Sequence, residues 1–239
     1  MPLRGHIDRH FEQDLLTLRN SILHMGGQIE KNISDAMSCL QKEDLKLARE
    51  VIRRDHVVNC FEIDIDELCL RLLALRQPAA SDLRVITTAL KIVTDLERIG
   101  DLATNVAERC VAIGSMARPS VVERIFEMSV LAQKMVKESL DAFVRRDTDM
   151  AELVIAADRQ LDELHRTSFQ AVVQLMQAKP EEIPEVVNIL SIARYLERIG
   201  DHATNIAEMV VFMVRGKDIR HLWSRQGAQE QSERKPEAP

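Results

Sequence analysis

Aromatic residues are scarce in this chain, at 3% of 239 residues, with a single tryptophan and a single tyrosine. Hydrophobic residues still reach 46%, so the chain can bury a sizeable core made of aliphatic side chains. Such a core suits packed helices better than a sandwich or a barrel. No stretch approaches the roughly 20 apolar residues of a membrane span, and the N-terminus lacks the apolar region of a signal peptide. We therefore expect a cytoplasmic protein.

Sequence motifs typical of enzymes are also missing. There is no phosphate-cradling glycine loop, no H-E-x-x-H zinc motif and no credible nucleophile–base set, so we expect no catalytic residues. A net charge of −6 argues against nucleic acid as the main partner. The four cysteines (Cys39, Cys60, Cys69 and Cys110) form no C-x-x-C pair, and we expect them to be reduced and mostly buried.

The chain does contain a repeated acidic stretch. Residues 96–108 read Leu-Glu-Arg-Ile-Gly-Asp-Leu-Ala-Thr-Asn-Val-Ala-Glu, and residues 196–208 repeat them with two replacements, one of which puts His202 in place of Leu102. On a helix the polar members share one sector: Glu97, Asp101, Thr104, Asn105 and Glu108. The neighbouring sector is a hydrophobic stripe in both copies: Ile92, Leu96, Ile99, Ala103 and Val106, then Ile192, Leu196, Ile199, Ala203 and Ile206.

Hydrophobic periodicity predicts six long helices. The first covers roughly 6–41, and Asp44 in the following turn is a candidate N-cap for the second helix. The second ends near Pro78, and its stripe has heptad-like spacing: Val51, Val58, Phe61, Ile65, Leu68, Leu72 and Leu75. The third begins at 81–82 and frays near Gly114. The fourth follows from Val121 to a turn at 146–149, the fifth ends at 179–180, and the sixth runs from about 183 to 215.

The two halves match beyond the acidic stretch. Ala48, Val51, Ile52 and Asp55 recur 103 positions later as Ala151, Val154, Ile155 and Asp158. We interpret this as a tandem duplication of a three-helix unit. The predicted fold is all-α, with two sequence-related three-helix bundles at 1–115 and 119–216 and a linker at 116–120. The polar segment at 217–239 is expected to be disordered.

The middle helix of each unit also carries polar side chains on one line. Asp55, Asn59, Glu62 and Asp66 step by four, three and four, and Asp158, Asp162 and His165 hold the equivalent line. If the middle and third helices pack antiparallel, these lines meet the acidic stretches. Clustered carboxylates repel one another unless a cation neutralises them, and oxygen ligands suit hard metal ions.

The pattern therefore predicts two metal sites. The first combines Asp55, Asn59, Glu62, Glu97 and Asp101. The second combines Asp158, Asp162, Glu197 and Asp201. Six further residues are candidate neighbours of these sites: Asn105, Glu108, His165, His202, Asn205 and Glu208.

Two plainer interpretations compete with metal binding. The acids could form a solvated salt-bridge face with Arg98 and Arg198, or the duplication could simply have copied the stretch. Gly100 and Gly200 favour a special role, because a glycine inside a helix often marks the close approach of another group. Ferritin-like di-iron sites use Glu-x-x-His pairs, which this chain lacks.

The repeated stretch, together with Leu-Arg-Gln-Pro-Ala-Ala-Ser-Asp-Leu-Arg at 75–84, resembles the PhoU family. That resemblance implies two related three-helix bundles, a homodimer, and multinuclear iron, zinc, manganese or magnesium sites built from Glu/Asp-x-x-x-Asp motifs. The motifs fall at Glu97/Asp101, Glu197/Asp201 and Asp158/Asp162. Asn59 departs from the family pattern beside Asp55, so this pair contributes one carboxylate fewer to the first site.

The resemblance also implies a function without catalysis. A family member would be a negative regulator of the phosphate regulon and a modulator of phosphate uptake. It would couple a phosphate ABC transporter, through its ATPase subunit, to a sensor histidine kinase, and would reach the inner face of the membrane only through these partners. A metal-storage or metal-buffering carboxylate bundle is the alternative, and a purely structural scaffold is a third.

Overall fold

Six long helices make up almost all of the described chain. The computed structural model describes residues 4–76, 78–114, 121–217 and 219. The helices are α1 (Arg4–Lys42), α2 (Leu45–Arg76), α3 (Ala80–Ile113), α4 (Val122–Arg145), α5 (Thr148–Ala178) and α6 (Ile183–Arg215), with a 3-10 turn at Pro180–Glu182. No strand occurs within these residues, and the predicted all-α fold of two three-helix repeats is confirmed. The predicted linker and nearly all of the predicted disordered tail lie outside the described residues.

The same turn joins the first two helices of each repeat. Asp44 Oδ1 accepts hydrogen bonds of 3.0 and 3.1 Å from the backbone N–H groups two and three residues ahead, and Asp147 does the same at 3.0 Å. Both are therefore N-caps, as predicted for Asp44. The residues before them, Glu43 and Arg146, adopt left-handed backbone angles with φ of 57° and 54°, which ends the preceding helix.

Contacts between helices fix an antiparallel order within each repeat. Asp55 on α2 lies beside Thr104 on α3, and Asp158 on α5 lies beside Thr204 on α6. The most extensive helix contact joins α3 to α6, one from each repeat. Arg84 near the start of α3 reaches Met213 near the end of α6, so this pair is antiparallel as well. One continuous hydrophobic core therefore spans both repeats.

The predicted hydrophobic stripes form this core. Both stripes next to the acidic stretches are fully buried. In α2 the prediction is wrong for Leu75, which is 71% exposed. This residue lies in the last turn of an outer helix that packs only against α1 and α3. All four cysteines are free, and all except Cys60 are buried.

Gly100 and Gly200 lie where a neighbouring helix approaches closely, as the sequence predicted. A Cβ atom on Gly100 would come within 3.0 Å of Val58 Cγ1, and one on Gly200 would overlap Leu161 Cδ2. The approaching groups are thus hydrophobic side chains of α2 and α5. Gly27 in α1 is different, because it is exposed and nothing lies within 4 Å of a Cβ there.

These glycines predict opposite responses to alanine. Gly27→Ala should raise the free energy of unfolding by about 0.5–1 kcal/mol, because alanine is the better helix former and has room. Gly200→Ala gains the same propensity but must displace the buried Leu161 side chain, and overpacking costs about 1–3 kcal/mol. Urea unfolding should therefore show a gain for the first variant and a loss for the second. Equal gains would contradict the close approach of α5 to α6.

Candidate metal centres

The first acidic cluster forms between α2 and α3, where the sequence predicted it. Thr104 donates a 2.9 Å hydrogen bond to Asp55 Oδ1, which fixes Asp55 opposite the acidic stretch of α3. Asp101 is close enough to Asp55 to have its pKa raised by that charge, after the larger effect of desolvation. Desolvation likewise raises the pKa of Glu97, and the charges of Asp101 and Glu62 add to it. Four carboxylates from two helices therefore share one half-buried site.

Glu62 adds a carboxylate to the first cluster, which has Asn59 where the family pattern has an acid. Desolvation raises the pKa of Glu62, and so do the nearby charges of Asp66 and Asp101. With Asp55, Glu62, Glu97 and Asp101, the first cluster has as many carboxylates as the second. Asp66 belongs to the same polar line of α2 but was not predicted as a site residue, and it lies at the edge of the first cluster.

The second cluster forms between α5 and α6 in the same way. Thr204 donates a 3.3 Å hydrogen bond to Asp158 Oδ1. Desolvation and the charges of Asp162 and Asp201 raise the pKa of Asp158 to about 6. Desolvation and the charges of Glu197 and Asp162 raise the pKa of Asp201 to about 6, although the Asp201 residue itself is exposed. Burial and, after it, mutual repulsion of the carboxylates therefore both disfavour their charged forms here.

Arginine distinguishes the two clusters. Arg98 lies 3.4 Å from Glu97 and 3.7 Å from Asp101, so a side-chain cation already neutralises part of the first cluster. Arg198, its equivalent, lowers the pKa of Asp201 only as a minor contribution. It makes no ion pair with any described residue.

The donor chemistry of these clusters fits a hard cation. The first cluster contains an unsatisfied acceptor, because Asn59 Oδ1 is buried without a hydrogen-bond partner while its amide nitrogen lies 3.5 Å from Asp55 Oδ2. A buried unpaired oxygen is costly, and a metal ion would satisfy it. Within the described residues, no three His, Cys, Asp or Glu side chains converge on one point. The features that suit a hard cation are the oxygen donors and their proximity on neighbouring helices.

Two of the candidate neighbours contact a different helix. His202 Nδ1 lies 2.7 Å from Asp95 Oδ1, and Asn205 donates a 3.2 Å hydrogen bond to the same oxygen. Asp95 belongs to α3, so these side chains bridge the two repeats. His202 also lies close enough to Asp201 for its charge to oppose the rise in the pKa of that carboxyl. The contact with Asp95 could not be predicted from the sequence, because helical spacing does not tell which neighbouring helix a side chain faces.

The remaining candidate neighbours lie around the clusters. Glu208 lines a groove of about 440 Å³ with Asp158 and Thr204. Asn105 is half-buried on α3, and His165 is half-buried on α5, three residues after Asp162. Glu108 is exposed, with Arg109 3.9 Å away. The residues that sequence reasoning left out of the sites are Thr104 and Thr204, although their position on the polar sector of α3 and α6 was visible.

Comparison with known proteins adds independent information on this fold. The family model described as the PhoU domain matches twice, at residues 22–110 and 125–210. The chain belongs to the PhoU family. Each match contains one acidic stretch and its partner helix, so each copy of the PhoU domain in this chain carries one cluster.

Relatives and solved structures cover nearly the whole PhoU-family chain. The Phosphate-specific transport system accessory protein PhoU homolog of Pseudomonas aeruginosa is 45% identical, covering 92% of this chain and 91% of the relative. The Phosphate-specific transport system accessory protein PhoU of Escherichia coli K12 is 34% identical over 92% and 91%. The crystal structure of PhoU from Pseudomonas aeruginosa matches with a TM-score of 0.83 at 44% identity, covering 87% and 100%. The phosphate transport system regulatory protein PhoU from Streptococcus pneumoniae matches at 0.82 and 29%, covering 87% and 98%.

The raised pKa of Asp201 predicts a pH-dependent gain in stability for Asp201→Asn. A carboxyl whose pKa rises from 3.8 to about 6 on folding binds more protons in the folded state, so it costs stability as the pH increases through that interval. In chelator, the variant should unfold at a higher temperature than the parent at about pH 7.5, and the difference should shrink towards about pH 4.5. Thermal unfolding at both pH values measures this.

The matched control is Glu127→Gln, which removes a charge from an exposed acid on α4. It should change the unfolding temperature little at either pH. A destabilised Asp201→Asn protein at about pH 7.5 in chelator would contradict the proposed repulsion.

Proposed function

We propose that this chain is an accessory protein of a phosphate-specific transport system that restrains phosphate uptake and represses the phosphate regulon. The observation that carries the proposal is the 45% identity to the Pseudomonas aeruginosa accessory protein, which extends over 92% of the chain and thus over both repeats. Similarity confined to one repeat would support only a shared helical module. The chain would act by contact, coupling the ATPase subunit of the transporter to a sensor histidine kinase.

The outer helices offer surfaces for such contacts. Ile63 and Leu70 on α2 are 59% and 61% exposed and lie two turns apart, and Leu153 on α5 is 69% exposed. A homodimer would use part of this surface. No helix in the described residues is long and apolar enough to cross a membrane, and we propose that the chain reaches the membrane through its partners.

We further propose that the two acidic clusters hold hard metal ions: iron, manganese, zinc or magnesium. Asp55, Asn59, Glu62, Glu97 and Asp101 would hold the first. Asp158, Asp162, Glu197 and Asp201 would hold the second. The bound cation would supply positive charge between two helices that otherwise repel, and it would satisfy the unpaired oxygen of Asn59. The threonines beside Asp55 and Asp158 orient those carboxylates towards α3 and α6.

Loss of the protein should therefore switch on phosphate-starvation genes despite ample phosphate. The measurement is a reporter fused to such a gene, in a strain from which this chain's gene is deleted. Supplying the chain from a plasmid should restore repression. A reporter that stays silent in the deletion strain would show that the chain does not act as a negative regulator.

Metal binding should differ between the clusters. Because Arg98 partly neutralises the first cluster, we expect the second to take up Mn²⁺ first when metal is limiting. Asp201→Ala should then remove more bound Mn²⁺ than Asp101→Ala, and Arg98→Gln should raise binding by the first cluster. Titration of the folded variants measures these changes, with Asp64→Ala, an exposed acid on α2, as the control. Equal binding by all variants would exclude both clusters as the metal sites.

A further inference from the structure

A cationic site lies at the end of the molecule opposite the α1–α2 turn. Arg84 near the start of α3 and Arg146 in the α4–α5 turn line one cavity of about 250 Å³, together with Ser81 and Met213. Arg19 on α1 lies close to Arg146, whose charge adds to desolvation in lowering the pKa of Arg19. We refer to Arg19, Arg84 and Arg146 as the arginine corner.

The fold holds Arg84 and the backbone of Arg146 in place. Arg84 Nε donates a 3.2 Å hydrogen bond to the backbone oxygen of Met213, one of the last carbonyls of α6, beside the cavity that Arg84 and Arg146 both line. The backbone of Arg146 adopts the left-handed conformation that ends α4, and its side chain is exposed. Desolvation and the charge of Arg146 both lower the pKa of Arg19, so the fold brings positive charges together here.

Two acids lie near the corner. Asp147 follows Arg146 directly, and its Oδ1 accepts both capping hydrogen bonds of α5. Asp82, in the first turn of α3, opposes the lowering of the pKa of Arg19, but as the smallest of three influences. The N-terminus of α3 adds positive character, because Ala79 provides no side-chain cap for its first N–H groups, and such groups attract anions.

The corresponding region of the other repeat carries the opposite charge. Glu43 occupies the left-handed position that Arg146 occupies here. The first turns of α6 and the residues before it contain Glu181, Glu182 and Glu185, and the one cation beside them, Lys179, is paired with Glu182 at 2.6 Å. The duplication alone would have given two similar corners, so the arginines of this corner have no counterpart at the corresponding described positions of the other repeat.

We propose that the arginine corner binds a phosphate group, either inorganic phosphate or the phosphate of a small molecule whose remainder lies outside the cavity. Guanidinium groups bind phosphate oxygens through paired, charge-assisted hydrogen bonds, and a helix N-terminus with a nearby hydroxyl completes such a site. The cavity volume of about 250 Å³ is below the roughly 300–1,000 Å³ of sites that enclose drug-sized ligands. The arginine corner would bind its anion whether or not the acidic clusters hold metal.

Binding is measured on the full chain at low ionic strength in chelator, so that no metal–phosphate complex contributes. Equilibrium dialysis with labelled inorganic phosphate and calorimetry with ATP are the two arms. We expect saturable binding of at least one probe at one site per chain. Arg146→Asn, which tolerates the left-handed turn, and Arg84→Gln should each weaken it about tenfold or more, since each removes a charge-assisted contact.

The control is Arg49→Gln, which removes the same charge from an exposed position near the start of α2 and should change affinity less than about twofold, because distant exposed charges are screened. Arg84→Lys keeps the charge and should bind better than Arg84→Gln, which separates ligand binding from the support that Arg84 gives to α6. Competition between phosphate and ATP would identify one shared site. The proposal is overturned if neither probe saturates, if both corner variants bind like the parent, or if only an acidic peptide such as polyglutamate binds.

Discussion

The close packing of α2 on α3 at Gly100, and of α5 on α6 at Gly200, is the constraint on which the rest of the structure depends. Without Cβ atoms at these two positions, the outer helices come near enough for their polar lines to meet those of the central helices. The same approach buries the hydrophobic stripes and concentrates carboxylates beside them. Burial of the stripes is therefore obtained together with desolvation and mutual repulsion of the carboxylates, which raise the pKa values in both clusters.

The duplication gives the molecule two similar halves, and the differences between them point to specific roles. At the contact of α3 with α6, His202 and Asn205 hold Asp95, whereas the equivalent of His202 in the first repeat is Leu102 and that of Asp95 in the second is Tyr195. The contact between His202 and Asp95 is thus an ion-pair type contact, whereas the equivalent positions hold Leu102 and Tyr195 and cannot form one. The arginine corner and its acidic counterpart differ in the same way. Both differences arise where the two repeats meet or end, and the packing inside each repeat stays alike.

Most of the fold could be predicted from the sequence because helical periodicity is a local property. The stripe from Ile92 to Val106 and the N-cap at Asp44 depend only on nearby residues and were found directly. Periodicity does not show which distant helix a side chain contacts, so these contacts could not be predicted. Periodicity placed Asn205 and Glu208 on one sector of α6, yet one contacts α3 and the other lines the groove beside Asp158. The arginine corner could not be predicted for the same reason. Its three arginines come from two helices and a turn that are far apart in the sequence.

The two acidic clusters differ in the neighbouring groups that offset their negative charge. In the first, Arg98 supplies positive charge, and the hydroxyl of Thr104 donates to Asp55. In the second, desolvation and the neighbouring carboxylates raise the pKa of Asp158 and of Asp201 to about 6, and the opposing effects of His202 and Arg198 on Asp201 are smaller. The first cluster therefore has a paired side-chain cation beside its carboxylates, whereas the carboxylates of the second meet with less compensation from the protein. The same acidic sequence thus produces two different electrostatic environments, because the arginine that follows the first acid forms ion pairs with the acids in one repeat only.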